Sequence, residues 1–211
     1  MKSSTSVSKA RQMFGKNFLD FPVACKAFNP EAEEGNVAFF ATVPFSPEFL
    51  EKRAESHLLV AEVPISLLQM VKLFPQFLNT GSRVYELPLA SEFGNFGWHL
   101  IRKVPIVMDY QEDLTIRNAI ASASQKILEI RLAVYTAMLC HAVDGGYLWQ
   151  DAIAGCKEIG QNQRPLVFGL FDEDGPYLGE LAPGARIQNI GYLVEEVFPT
   201  QTPYLGGNYS C

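Results

Sequence analysis

The sequence predicts an α+β fold: a single domain with a mostly antiparallel mixed sheet packed against a buried central helix at about residues 127–143. Three observations carry this. From Val37 to Phe74, β-type and helix-type segments alternate; Gly97–Met108 is a long extended run; and Ile127–Val143 is apolar on nearly every side. The predicted organisation is an N-terminal arm over residues 1–36 with a short helix, a domain over 37–200 and a loose tail over 201–211.

In the arm, residues 8–19 read as an amphipathic helix, and the Pro, Gly and acid cluster of 29–36 reads as a loop. Val37–Val43 is β-branched and aromatic enough for a strand. Ser46-Pro47-Glu48 then starts a helix, with Ser as N-cap, Pro at the first helical position and an acid in the first turn. A strand is predicted at His57–Val63, and a second short helix opens at Pro64-Ile65-Ser66 and stops before Pro75. After a Gly-, Asn- and Ser-containing stretch with a short strand at Arg83–Leu87, the run Gly97–Met108 is extended, apolar on both faces and therefore central. Its alternation places Trp98, Leu100 and Arg102 on one face and His99, Ile101 and Lys103 on the other. Helical sequence resumes near Leu114, and the helix of 127–143 ends at Gly145-Gly146. Tyr147–Ile159 and Pro165–Phe171 read as strands around a polar loop, and a turn at 171–176 leads into a strand at Tyr177–Leu181.

Composition limits the function classes. Of 211 residues 48% are hydrophobic and 15 are Phe, while only 19% are charged, so apolar side chains exceed what one small core is expected to hide. A homo-oligomer or a protein partner is the expectation, with Phe14, Phe18, Phe21 and Phe28 of the arm making the contact. Four basic residues and no acid precede Asp20, which leaves 13 basic against 23 acidic in the remainder. That acidic body repels phosphate backbones, so nucleic acid is not an expected partner. The longest apolar run is about a dozen residues, short of the roughly 20 that span a bilayer, so no membrane partner is expected. The first residues lack the apolar stretch of a secretory signal, which makes the expected location cytoplasmic. Cys25, Cys140, Cys156 and Cys211 show no ligand spacing and read as free thiols, with neither a metal nor a cofactor expected.

Two blocks resemble a known family: Val43-Pro44-Phe45-Ser46-Pro47-Glu48-Phe49-Leu50 running on to His57–Leu68, and Gly97-Trp98-His99-Leu100-Ile101-Arg102-Lys103-Val104-Pro105. They resemble an uncharacterised family of bacterial cytoplasmic proteins. Weaker likeness in 133–135, 146–149 and 167–175 extends it over about residues 37–195, and the chain departs from the pattern at Asp151–Cys156. The resemblance implies a single domain and no known activity.

No motif fixes a reaction. His99 and Arg102, three apart on a strand, face opposite sides, and a hydrogen-bonded core histidine is favoured over a general base. His57 follows Ser56, but no Gly-x-Ser-x-Gly setting supplies a nucleophile. Asp172-Glu173-Asp174-Gly175 reads as a hairpin turn rather than a calcium loop, and no phosphate-binding glycine pattern occurs. The expected function is a non-catalytic protein-binding or assembly module, with Trp98, His99, Arg102 and Asp172 as candidate binding residues. The alternative is a small hydrolase-like enzyme assembled from His57, His99, Arg102 and Asp172.

Overall fold

A computed structural model of the chain describes residues 4–28, 39–75, 87, 89–107, 113–160, 162–172, 175–181 and 191–197, without the side chains of 113–116 and 172. Within them lie six helices and twelve strands in three sheets, an α+β arrangement as predicted.

Side-chain caps open several helices. Ser6 Oγ accepts from the Lys9 amide at the start of α1, Val7–Phe14, and the carboxylate of Asp20 accepts from the Val23 amide at the start of α2, Phe21–Phe28. Ser46 accepts from Phe49 N at 3.2 Å and opens α3, Pro47–Glu51, where the sequence placed it. At α4, Leu67–Leu73, Ser66 Oγ accepts from Gln69 N at 3.3 Å while Gln69 Oε1 accepts from Ser66 N at 3.0 Å, a reciprocal capping box. Ser66→Ala is expected to destabilise the fold by about 1 kcal/mol in urea unfolding. An unchanged midpoint would show that the box contributes nothing.

After α5, Asp113–Ser122, comes α6, Ile130–Asp144, the helix predicted to be central. Every residue from Ile130 to Leu139 is buried, and α6 packs against α2 and α4. Tyr135 is fully buried in it; its hydroxyl donates to Ala61 O at 2.7 Å and accepts from Val63 N at 3.3 Å. Gly145, at φ +73°, ends the helix in the left-handed conformation that glycine adopts without strain.

The shortest sheet pairs β1, Thr5–Ser6, with β3, Thr42–Val43. The sheet that carries the site is built from β2, Phe18–Leu19; β4, His57–Glu62; β5, Gly97–Arg102; β7, Gln125–Ile127; and β12, Val194–Glu196, in the order β2-β4-β5-β12-β7. Only β2 and β4 run parallel. The third sheet comprises β6, Ile106–Val107; β8, Ile153–Ile159; β9, Pro165–Asp172; β10, Gly175–Glu180; and β11, Gly191–Tyr192, in the order β10-β9-β8-β11-β6, with β11 parallel to β8. α6 also packs against β8 and β9 of this sheet.

Three expectations are corrected. The run Gly97–Met108 is not one strand: β5 and β6 belong to different sheets, and the break at Lys103–Pro105 contains a proline that has no N–H for a ladder. Of the predicted strand over Val37–Val43, the described residues 39–43 are extended in a ladder only at Thr42–Val43; Phe39 and Phe40 form a helical turn that lodges Phe40 against Phe21 and Trp98, and 37–38 lie outside the described residues. Residues 4–28 do not stand apart as an arm, because β2 is hydrogen-bonded to β4 and α2 packs on α6. The predicted strand at Arg83–Leu87 and the tail over 201–211 lie outside the described residues, save Leu87 itself.

Candidate functional site

The register of β4 against β5 sorts the polar residues. His57 faces Arg102, Val60 faces His99 and Glu62 faces Gly97, without a shift along the pair. One face of the sheet therefore carries His57, Trp98 and Arg102, and the other carries Glu62 and His99. β12 adds Glu195, opposite Ile101, to the His99 face and Glu196 to the His57 face.

His99 lies between two carboxylates. Its Nδ1 is 2.7 Å from Glu195 Oε2 and its Nε2 is 2.9 Å from Glu62 Oε2. Glu195 also takes Lys126 Nζ at 2.7 Å, and Glu62 takes the guanidinium of Arg131, which reaches it from the first turn of α6. The series Lys126, Glu195, His99, Glu62, Arg131 thus alternates in sign through a largely buried space. Burial alone would lower the pKa of the imidazole, but the charge and hydrogen bonds of Glu195 and Glu62 overcome it and raise it to about 9. In return His99 and Lys126 hold the Glu195 carboxyl below its ordinary range against its own burial. With both ring nitrogens engaged, His99 has no lone pair with which to act as a base at neutral pH. Gly94 closes the network: a Cβ there would lie 2.2 Å from Arg131 Nη1 and 2.3 Å from Glu62 Oε1.

On the opposite face, Ser56 Oγ is 2.8 Å from His57 Nδ1, and His57 Nε2 is 3.3 Å from Glu196 Oε1. Glu196 also accepts from Arg53 at 3.0 Å and Gln125 at 2.8 Å, and these hydrogen bonds outweigh burial and hold its carboxyl at about 2. Hydroxyl, imidazole and carboxylate occur here in the order used by serine hydrolases. The oxyanion donors do not: the amides of Ser56 and His57 are both spent on Arg53 O, at 3.1 and 2.9 Å. The arrangement does the work of a clamp that ties the start of β4 to β12.

Of the residues proposed from the sequence, His57 and Arg102 come together as cross-strand neighbours, and His99 stands on the other side of the sheet. Asp172 ends β9 in a different sheet, and its side chain lies outside the described part. Trp98 is a core residue, stacked on Phe18 with centroids 5.5 Å apart and edge-on to Phe40. Phe14, Phe18, Phe21 and Phe28 are all buried within this chain, which corrects their expected role at an interface: the core shared by α1, α2 and the sheet absorbs them. Glu62, Arg131, Glu195 and Glu196 were missed. Glu62 ends the apolar strand His57–Glu62 and Arg131 opens the apolar helix α6, and a charge inside an apolar run signals a buried partner.

Cys25, Cys140 and Cys156 are free; burial pushes the Cys140 thiol up to about 12, with Asp144 adding to it, and Cys156 well above its usual value. Cys211 lies outside the described residues. Among the described residues no group of three or more His, Cys, Asp or Glu side chains could hold a metal ion, and no helix is long and apolar enough to cross a membrane. Compared with known families, curated proteins and solved structures, the chain finds no match.

Proposed function

We propose that this chain is a non-catalytic protein-binding or assembly module whose contact surface lies at the C-terminal end of α6. The observation that carries the reading is Leu170. It sits in β9 at φ +52° and is 46% exposed, so a leucine is held in a left-handed conformation with its side chain in water. Such a conformation costs about 1–3 kcal/mol, and the surrounding structure enforces it. Gly169, at φ +128°, lies so close to Ala152 that a Cβ would fall 2.0 Å from the Ala152 oxygen, and Leu170 N donates to that same oxygen at 3.0 Å. Bulges of this kind re-aim side chains. Exposed Val143 (50%) lies in the last turn of α6 and exposed Tyr147 (43%) just beyond it, and Tyr147 stacks between His141 and Phe171, the chain neighbour of Leu170. The closed ionic networks around His57 and His99 agree with a role that needs no acid or base.

Light scattering at tens of micromolar, with affinity capture from the host beside it, tests the reading. The expected result is a particle larger than 23.5 kDa, or a captured protein, lost in Leu170→Lys while circular dichroism stays unchanged. Equal size and equal capture for both chains overturn it.

A further inference from the structure

The N-terminal end of α6 opens on a cleft of about 350 Å³, lined by Leu89, Glu92, Glu129, Arg131, Lys157 and Glu158. Its charges are mixed and unequally spent. Glu129 and Lys157 satisfy each other, Nζ to Oε1 at 2.7 Å. Arg131, only 6% exposed, gives Nη1 to Glu62, while its Nη2 is 3.8 Å from Glu129 Oε2, beyond hydrogen-bond distance. Glu158 takes the Ile130 amide on Oε2 at 2.9 Å and its own backbone amide as well, which leaves its carboxylate with part of its acceptor capacity. The exposed carboxylate of Glu92 has no partner among the described residues. The cleft therefore offers, side by side, a guanidinium nitrogen of Arg131 with no hydrogen bond among the described residues, a partly satisfied carboxylate at Glu158 and an exposed carboxylate at Glu92.

We propose that this cleft binds a small zwitterion, a free α-amino acid, with its carboxylate on Arg131 Nη2 and its ammonium between Glu158 and Glu92. Neither an anion nor a cation alone fits as well. An anion meets three carboxylates, and a simple amine leaves the Arg131 Nη2 donor unused. A zwitterion answers both, its carboxylate taking a single charge-assisted hydrogen bond from Nη2 while Nη1 stays on Glu62. Leu89 provides an apolar wall for the side chain. Burial raises the Glu158 carboxyl above its ordinary range, with the proximity of Glu129 adding to it, and an ammonium ion there would relieve that cost. Arg131 is held independently of any ligand by Glu62, in space that the absent side chain of Gly94 leaves open to it. The site is thus preorganised.

The test is a titration of the full-length protein, followed by the amide resonances of Ile130, Arg131 and Lys157 in NMR spectra. The twenty common amino acids are added singly, and each one that binds is compared with the amine lacking its carboxylate and the acid lacking its amino group. At least one amino acid is expected to shift those resonances saturably, with both truncated analogues at least tenfold weaker. Glu92→Gln and Glu158→Gln are expected to weaken binding at least tenfold while keeping the spectrum of the fold; Glu92 is exposed, so that variant stays informative if Glu158→Gln unfolds. No saturable shift with any amino acid, an amine or acid analogue that binds as well as its parent, or unchanged affinity in Glu92→Gln would each overturn the proposal.

Discussion

A chain that begins at residue 29 is expected not to fold. Residues 4–28 contribute Phe14, Phe18, Phe21 and Phe28 to the core, each no more than 6% exposed, together with Ala10, Leu19 and Ala24. Burying a phenylalanine stabilises by about 1.5–3 kcal/mol, so four of them account for roughly 6–12 kcal/mol before strand pairing is counted. Whole domains are stable by about 5–15 kcal/mol. The loss also uncovers what these rings touch. Trp98 loses its stacked neighbour Phe18, Tyr135 loses Phe28 at 4.5 Å between centroids, and Phe40 loses Phe21 at 4.9 Å. β4 is left as an unpaired edge where β2 ran beside it, which adds a route to aggregation. Circular dichroism and light scattering decide the matter: the truncated chain should lack a cooperative thermal transition or aggregate. A native spectrum with a sharp transition would show that the segment is an appendage after all, as its composition suggests.

That misreading shows where the sequence was legible. Local signals held: Ser46-Pro47 and the Ser66 box start helices because capping needs only residues three apart, and the helix around 130–144 is legible because it lacks a wide polar stripe. Long-range pairing was not. The arm looked unable to form a core because its partners, Leu59 and Tyr135, lie far along the chain. The same distance hid the site. His99 was visible as a core histidine, but its two acids come from positions 37 residues before it and 96 after it. No spacing rule links Glu62 to Glu195; the order β4-β5-β12 does, by setting strands from three parts of the chain side by side. Leu170 was equally hidden, since a positive φ follows from the contact of Gly169 with Ala152 and not from the residue type.

Breaking the His99 network is expected to have the next largest effect, and pH separates its parts. The imidazole is raised from 6.5 to about 9 in the folded chain, so folding binds its proton. Stability from this group is fully present below pH 6.5 and is lost as pH rises through about 9. With about 1.4 kcal/mol for each unit, discounted for the partial exposure of the ring, the loss is about 2–3 kcal/mol. The carboxylates act in the opposite sense. Glu195 is held low by His99 and Lys126, and Glu196 is held at about 2, so their contributions are present above the ordinary carboxylate range and disappear in acid. Maximum stability is therefore expected between the two windows, on the acid side of neutrality. Urea unfolding measured from pH 5 to pH 9.5 should show the alkaline decline in the parent chain, and His99→Gln should flatten it while lowering stability at pH 6. Glu62→Gln should cost more, about 3–5 kcal/mol, because it strips both His99 and Arg131 of a buried counter-ion at once. If Glu62→Gln unfolds the chain, Lys126→Gln at the exposed end of the series still reports, since it leaves Glu195 one cation, holds its carboxyl less low and should make the fall in acid shallower from a lower starting stability. A parent chain whose stability is flat from pH 6.5 to pH 9, or a His99→Gln variant that keeps the alkaline decline, would show that the imidazole is neutral between its two carboxylates.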